Sequence, residues 1–220
     1  MKNNLILFVT PLMLLFGVAA YAQVSVGAGY INSRSTNAIV ESDFINEVTS
    51  DMVYNGFYAG VGYTFSIMKG LGITPGIYFE SITANYASDL TAFTVSSSFS
   101  EQFIDIPLHI SYGISLSPGV RILAFAGPAA SFGLVAKSKT LTEFRVGDDH
   151  TPKESSSDSY EGGGLSRFDL FVGGGLGVEL LNHFRITVGL NYSLLERHKV
   201  KVVDRPQRRH QIVAGIAYVF

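Results

Sequence analysis

The stretch HQIVAGIAYVF, residues 210–220, decides the fold of this chain. Its side chains alternate between two faces, because successive residues of a β-strand point to opposite sides. The apolar residues Ile212, Ile216 and Tyr218 share one face with the final residue, Phe220, and smaller or more polar side chains dominate the other face. This alternation with an aromatic end is typical of the last strand of a membrane β-barrel.

The composition favours a protein that crosses a membrane on strands. Only 15% of the residues are charged, 12% are aromatic and 23 are glycines. After residue 22, no run of about 18 apolar residues predicts a spanning helix. Backbone polar groups in lipid must bond within the protein, so strands in lipid require a closed barrel. The chain has no Cys, so packing and hydrogen bonds alone stabilise it.

The N-terminal residues resemble a secretory signal peptide. Lys2 precedes an apolar stretch, residues 5–20, and Ala20-Tyr21-Ala22 fits an A-x-A cleavage site. We therefore expect a signal peptide at residues 1–22 and a single barrel domain at residues 23–220. Cleavage removes one Lys and leaves 15 basic against 18 acidic residues, a net charge of −3.

Eight segments have the alternation of a strand, and an irregularity in the fifth predicts a bulge near Pro128. The predicted strands are residues 24–30, 57–67, 71–80, 104–114, 120–136, 168–180, 184–194 and 210–220. The predicted short connections are 68–70, 115–119 and 181–183, and the long ones are 32–53, 85–101, 137–166 and 196–208. Short periplasmic turns that alternate with long outer loops are typical of outer-membrane barrels. The sequence thus predicts an all-β fold: an eight-stranded antiparallel up-and-down transmembrane β-barrel.

A soluble β-sandwich is the alternative fold, because alternation alone does not distinguish the two. However, glycine and small residues dominate the less apolar face, and these suit a narrow lumen filled by side chains better than a solvated sheet. Aromatic residues also bracket two strands, Phe57 with Phe65 and Phe184 with Tyr192, eight residues apart in each case. A tilted strand covers roughly 20 Å over that distance, close to the height of the apolar band. These pairs predict two aromatic girdles.

Four stretches resemble a known family. QFIDIPLHISY (102–112), FAGPAASFG (125–133), RFDLFVGGGLGVEL (167–180) and the aromatic C-terminus are similar to the small outer-membrane β-barrel proteins of Bacteroidetes. These barrels are loosely OmpA-like and include PorT-type proteins of a secretion and gliding apparatus. The resemblance implies the outer membrane of a Gram-negative bacterium.

Eight charged or titratable side chains share the inward face of the predicted strands. An ion in a narrow lumen needs a partner, because burial of an unpaired charge is unfavourable. Glu179 and Arg185 flank a short turn and should pair across it, with Arg121 near the same periplasmic mouth. We expect the set to fill and lock the lumen, with a gate or proton-linked path as the alternative. The predicted lumen network is Glu80, Asp105, His109, Arg121, Asp169, Glu179, Arg185 and Arg209.

Two further groups could carry chemistry. His109 and Ser111 share a strand face, as a lipid A-modifying hydrolase would require, but they are expected to face inward, away from lipid. Asp148, Asp149 and His150, with Glu154, have side chains suited to a divalent cation, yet a solvated acidic turn is the simpler interpretation. We therefore expect no catalysis, no cofactor and no metal.

The last predicted loop is basic. Lys and Arg side chains bind phosphates by charge-assisted hydrogen bonds, and lipopolysaccharide supplies the phosphates of the outer surface. Contact with lipopolysaccharide and a merely solvated loop both stay open, and nucleic acid is not an expected partner. The candidate residues are Arg197, Lys199, Lys201, Arg205 and Arg208.

These features predict a small outer-membrane barrel with a structural or surface-interaction role. The alternatives are an accessory component of a PorT-type secretion or gliding apparatus, a narrow ion channel and, remotely, a lipid A-modifying enzyme. Expected partners are outer-membrane lipid, lipopolysaccharide, the barrel assembly machinery and envelope proteins, with the chain itself a monomer. By resemblance to barrels generally, Tyr218 and Phe220 are the expected assembly signal.

Overall fold

A computed structural model describes residues 22–38, 49–89, 93–144, 153–161, 164–197 and 208–220. The predicted signal peptide lies outside these ranges except for Ala22, where the first strand begins. The strands are β1 (Ala22–Ala38), β2 (Thr49–Met68), β3 (Leu71–Asp89), β4 (Phe93–Ser117), β5 (Val120–Phe144), β6 (Lys153–Asp158), β7 (Phe168–Leu180), β8 (Phe184–Ser193) and β9 (Arg209–Val219).

Eight of these nine strands close a ring of antiparallel neighbours. β1 pairs with both β2 and β9, so the first and last strands close the barrel. β4 pairs with β5, and β5 with β7. β6 stands outside the ring and pairs along the upper part of β5. The predicted fold class is confirmed, and the correction is a ninth short strand within the predicted loop 137–166.

The alternation of the sequence has the expected orientation in the barrel. On β4, Leu108, Ile110 and Tyr112 are exposed on the outside, whereas Pro107 and Gly113 are buried. An outward apolar face is stable against lipid, because exposing this apolar surface to water would be unfavourable. No helix among the described residues is long and apolar enough to cross a membrane.

The strands continue well beyond their predicted ends. Residues 84–89 of β3, 94–100 of β4, 137–142 of β5 and 153–158 of β6 lie in register as a four-stranded extension, which we call the outer sheet. The prediction of loops at 32–53, 85–101 and 137–166 was therefore wrong over much of their length. Polar residues occupy both faces above the membrane, so the period-two signal disappears while backbone pairing continues.

Tight turns close the opposite end of the barrel. Gly70 and Gly119 adopt positive φ angles of 86° and 80° in the β2–β3 and β4–β5 turns, where a side chain would be strained. Leu181 and Asn182 do so in the β7–β8 turn. Because short turns mark the periplasmic end of outer-membrane barrels, we expect the outer sheet to lie on the outer side of the membrane.

The bulge in β5 lies elsewhere than predicted. The register of β5 with β7 runs through Pro128 without a shift. The shift occurs where Gln102 and Phe103 of β4 face Val135 and Gly133, so the extra residue is Leu134. An exposed proline on the lipid face disturbed the sequence pattern without inserting a residue.

Two aromatic girdles bound the apolar band. The outer one includes Phe57, Tyr192 and the contacting pair Phe132 and Phe168, whose ring centroids are 5.2 Å apart. The periplasmic one includes Tyr112, Phe184, Tyr218 and Phe220, all exposed. Phe184 and Phe220 each pack edge-on against Tyr218, at 5.5 and 4.9 Å. Phe65 is half-buried and packs on Tyr63.

Candidate functional site: the barrel lumen

Apolar side chains close the outer half of the lumen. Ile31, Tyr54, Ile82, Ala84 and Phe103 come from four strands and form one buried cluster. Their strands place them on the inward face just above the outer girdle, where the ring begins to give way to the outer sheet. These buried side chains occupy the lumen at this level of the barrel.

A buried ion cluster lies beside the apolar one, with Arg209 at its centre. Its guanidinium is 3.8 Å from Glu80 and 3.5 Å from Asp169, and it donates to the Ser131 hydroxyl at 3.3 Å. All three charged side chains are at most 2% exposed. The guanidinium also lies over the Phe103 ring, 4.0 Å from its centroid, a favourable cation–π geometry.

Neutral donors add hydrogen bonds to the two carboxylates. The Gln211 amide donates to both oxygens of Glu80, at 3.0 and 3.1 Å, and Ser193 donates to Asp169 at 2.7 Å. Buried ions are stable only when partners replace their lost hydration. We call the apolar and ionic clusters together the outer plug.

A third cluster ties the connections above the barrel to its rim. Arg197 is buried and pairs with Glu101 at 2.8 Å, and it donates to the Tyr160 hydroxyl at 3.1 Å. The Tyr160 ring in turn lies under the Arg167 guanidinium at 4.6 Å. Burial raises the pKa of the Tyr160 hydroxyl, although Arg197 opposes the shift. The hydroxyl therefore stays neutral and accepts from Arg197.

Below the outer plug, the lumen holds a cavity of about 190 Å³. It extends from Glu80 and Gln211 down to Gly70 and Arg121 at the short turns. A cavity of this size with polar walls can hold several water molecules. The prediction of a lumen filled by side chains is therefore correct for the outer half and wrong for the periplasmic half.

The predicted network is divided into separate groups. At the periplasmic mouth, Arg185 donates to Glu179 at 2.8 Å, and Arg121 bonds the Gly70 carbonyl instead of joining them. Asp105 neighbours Glu80 at the closed end of the cavity. The ring of His109 packs against Phe125 with centroids 5.1 Å apart.

The basic candidates of the last loop differ in accessibility. Lys199, Lys201 and Arg205 lie outside the described residues. Arg208 is exposed, but Arg197 is buried in its pair with Glu101 and cannot reach a lipid phosphate. Strand parity did not predict the burial of Arg197, because Arg197 follows β8 in an irregular segment.

The described residues assemble neither the His109–Ser111 pair nor the candidate metal site. Ser111 donates to the Gly72 carbonyl rather than to His109, and the two side chains share no hydrogen bond. Of the candidate metal ligands, residues 148–150 lie outside the described residues and Glu154 is exposed on β6. Within the described ranges, no three carboxylate or imidazole side chains converge as metal ligands.

Sequence reasoning missed five residues of the outer plug and of the Arg197 cluster above it. Phe103 and Ile82 lie just beyond predicted strand ends, and Gln211 looked like one more lumen-facing polar residue. Glu101 and Tyr160 lay in predicted loops. A continued inward parity from Asp105 to Phe103 and Glu101 would have placed two of these five, had the strand been extended.

A family model described as outer membrane protein beta-barrel domain matches residues 13–196. The chain belongs to this family. The match spans most of the barrel, from β1 into the segment after β8, and establishes an outer-membrane barrel. The narrower assignment to Bacteroidetes and PorT-type proteins stays a resemblance. A comparison with curated protein sequences found no match.

Several solved outer-membrane proteins are similar to this family member. Ail of Yersinia pestis, in complex with the heparin analogue sucrose octasulfate, is 14% identical, with 90% of this chain and 99% of that chain covered and a TM-score of 0.44. OprG of Pseudomonas aeruginosa is 10% identical, with 90% and 95% covered and a TM-score of 0.42. Neisserial surface protein A is 12% identical, with 89% and 96% covered and a TM-score of 0.41.

Proposed function

We propose that this protein is a closed, non-catalytic barrel of the outer membrane that acts through its outer sheet, in envelope structure or surface contact. The observation that carries the proposal is the length of β4 and β5, 25 residues each. At about 3.3 Å per residue and a tilt of about 40°, such a strand rises roughly 60 Å, far more than the apolar band of about 25 Å requires.

The extra length lies on the outer side. On β4, Ile104 is level with Phe79, whose ring contacts Phe57 of the outer girdle. The eleven residues 93–103 therefore lie above the girdle, over roughly 25–30 Å. Spanning the membrane does not require a paired sheet of this height in water.

The outer plug argues against the channel alternative. A conducting path would have to pass the apolar cluster around Phe103 and the bonded carboxylates of Glu80 and Asp169. The cavity below the plug is therefore a blind recess. In planar bilayers we expect no steady current from the purified protein, and large non-selective conductance would contradict a closed lumen.

The hydrogen bond of Ser111 to the Gly72 carbonyl, rather than to His109, supports a non-catalytic barrel over the enzyme alternative. The secretion or gliding alternative has no specific observation in its favour, and it is one outcome of the experiment below.

The outer sheet can be shortened without removing the plug. Replacing residues 85–98 by an Asn-Gly turn joins Ala84 to Phe99, which already face each other across β3 and β4. We expect this variant to insert and to keep its heat-modifiable gel mobility.

The test is complementation of a strain that lacks the protein. The shortened variant should fail to restore detergent resistance or partner recovery from native membranes, while the full chain restores it. Full complementation by the shortened variant would place the function in the barrel itself. Recovery of a secretion or gliding complex with the full chain alone would identify the partner.

A further inference from the structure

Three cations lie above the outer girdle: Arg167 at the outer end of β7, and Lys137 and Lys139 on the exposed face of β5. Arg167 immediately precedes Phe168, and Lys137 and Lys139 continue β5 above Phe132. The rings of Phe132 and Phe168 face the lipid, 47% and 39% exposed. We call Arg167, Lys137 and Lys139 the rim cations.

Arg167 is held in place by the bulge of β5. One of its guanidinium nitrogens donates to the carbonyls of Gly133 and Leu134, at 3.2 and 3.1 Å, and the Tyr160 ring packs beneath it. A guanidinium has five N–H donors. The remaining donors lie on an exposed side chain that is already fixed in orientation, which lowers the entropy lost on binding.

The two lysines are exposed and form no ion pair or side-chain hydrogen bond with the residues that the structure describes. Lys137 is four to five residues above Phe132, which corresponds to about 10 Å along the membrane normal. Ser100 and Ser98 face the two lysines from β4. The carboxylate in register with Lys137 is Asp158, which accepts a hydrogen bond from the Tyr160 backbone.

We propose that the rim cations bind the phosphates of a lipid A-type glycolipid in the outer leaflet. The phosphates would lie between the Arg167 guanidinium and the lysine ammonium groups, where charge-assisted hydrogen bonds form. The acyl chains would pack on Phe132 and Phe168, and the serine hydroxyls would face the sugar. This inference deepens the proposed function by naming a lipid partner of the outer surface, and it uses cations different from those of the basic last loop.

The choice of a glycolipid over a phospholipid follows from the height and number of the cations. Three cations spread over roughly 10–15 Å of barrel height exceed what one phosphodiester can contact. A glycolipid with a phosphate on each end of a disaccharide can contact cations at more than one position.

The test uses the full-length protein in a nonionic detergent, with purified lipid A as the probe. Bound lipid is counted by native mass spectrometry and its affinity measured by titration. Lys137→Gln with Lys139→Gln should weaken binding about tenfold. The matched control is Lys69→Gln, an exposed cation in the β2–β3 turn at the opposite end, which should leave affinity unchanged.

Other arms separate the source of the phosphate. Dephosphorylated lipid A, phosphatidylglycerol and inorganic phosphate should each bind at least tenfold more weakly than lipid A. Arg167→Lys should retain more affinity than Arg167→Gln, because the charge is kept. Unchanged affinity in the double lysine variant, an equal loss in the Lys69 control, or equal binding of phosphatidylglycerol would overturn the inference. Planar-bilayer conductance and complementation by the shortened variant test the proposed function independently of these outcomes.

Discussion

Replacing Arg209 by Met should destabilise the barrel more than any other single substitution of a lumen charge. Arg209 is 1% exposed and is the cation shared by Glu80 and Asp169. Its loss leaves both carboxylates buried without a counter-charge. Breaking a buried ion pair by removing one partner typically costs about 3–5 kcal/mol. We expect a loss of this size in the free energy of unfolding, with part of it offset by the apolar contact of Met with Phe103.

The free energy of unfolding is measured by urea titration of the protein in lipid vesicles. The chain has no Trp, so the folded fraction is followed by heat-modifiable gel mobility and circular dichroism. Arg121→Met is the matched control, since Arg121 is half-buried and makes a single bond to a turn carbonyl. We expect the control to cost about 1 kcal/mol.

Neutral carboxylates should restore stability to the Arg209 variant. Adding Glu80→Gln and Asp169→Asn removes the two uncompensated charges, and replacing a buried ionic group by neutral side chains is often close to neutral. A double-mutant cycle of Arg209 with Asp169 should give a coupling of at least about 1 kcal/mol. If Arg209→Met lay within about 1 kcal/mol of the wild type, the assignment of Arg209 as the centre of the plug would be falsified.

Three other substitutions probe the rim, the mouth and the C-terminus. Gly133→Ala should loosen the segment above the barrel, because a Cβ there overlaps the Tyr160 hydroxyl; limited proteolysis of folded protein should speed up several-fold, and an unchanged rate would contradict this packing. Glu179→Gln should lower the urea stability by only about 1 kcal/mol, because the Gln carbonyl can still accept from Arg185, which lines the open cavity; a loss above about 3 kcal/mol would mean that the mouth pair matters as much as the plug. Deleting Phe220 should reduce the membrane-inserted, heat-modifiable fraction in cells, and normal insertion would remove it as an assembly signal.

The membrane-embedded part of this fold was predictable because lipid imposes a strict alternation. Ile106, Leu108 and Ile110 must face outward together, and this fixes the inward direction of Asp105 and His109. The closure of β1 on β9 follows from the same requirement, since an unpaired edge in lipid is unfavourable.

Above the membrane this constraint disappears. Residues 94–100 read TVSSSFS, and either face of such a strand is compatible with water. Alternation therefore predicted neither the outer sheet nor β6, whose six residues are polar or charged throughout. The bulge at Leu134 was missed for the opposite reason, because Pro128 supplied a stronger local signal at a place where the register is regular.

The charges of the lumen were predictable in direction but not in partner. Parity placed Arg209 and Glu80 inside, yet it could not tell that Arg209 would lie between Glu80 and Asp169, since this depends on the relative heights of non-neighbouring strands. Arg197 is the clearest case of a charged residue whose partner the sequence did not predict. It belonged to a run of basic residues, and only the three-dimensional contact with Glu101 distinguishes it from its neighbours.

The position of the plug's donors on the last strand links barrel closure to the pairing of the lumen charges. Arg209 and Gln211 both belong to β9, so the carboxylates of β3 and β7 stay without these donors until β9 has joined the barrel. A slip of two residues in that pairing would keep every side chain on its correct face but would shift both donors by about 6.6 Å. Such a barrel would still present its apolar residues to lipid, but its lumen charges would be unmatched. The buried ions thus discriminate between registers that lipid alone accepts.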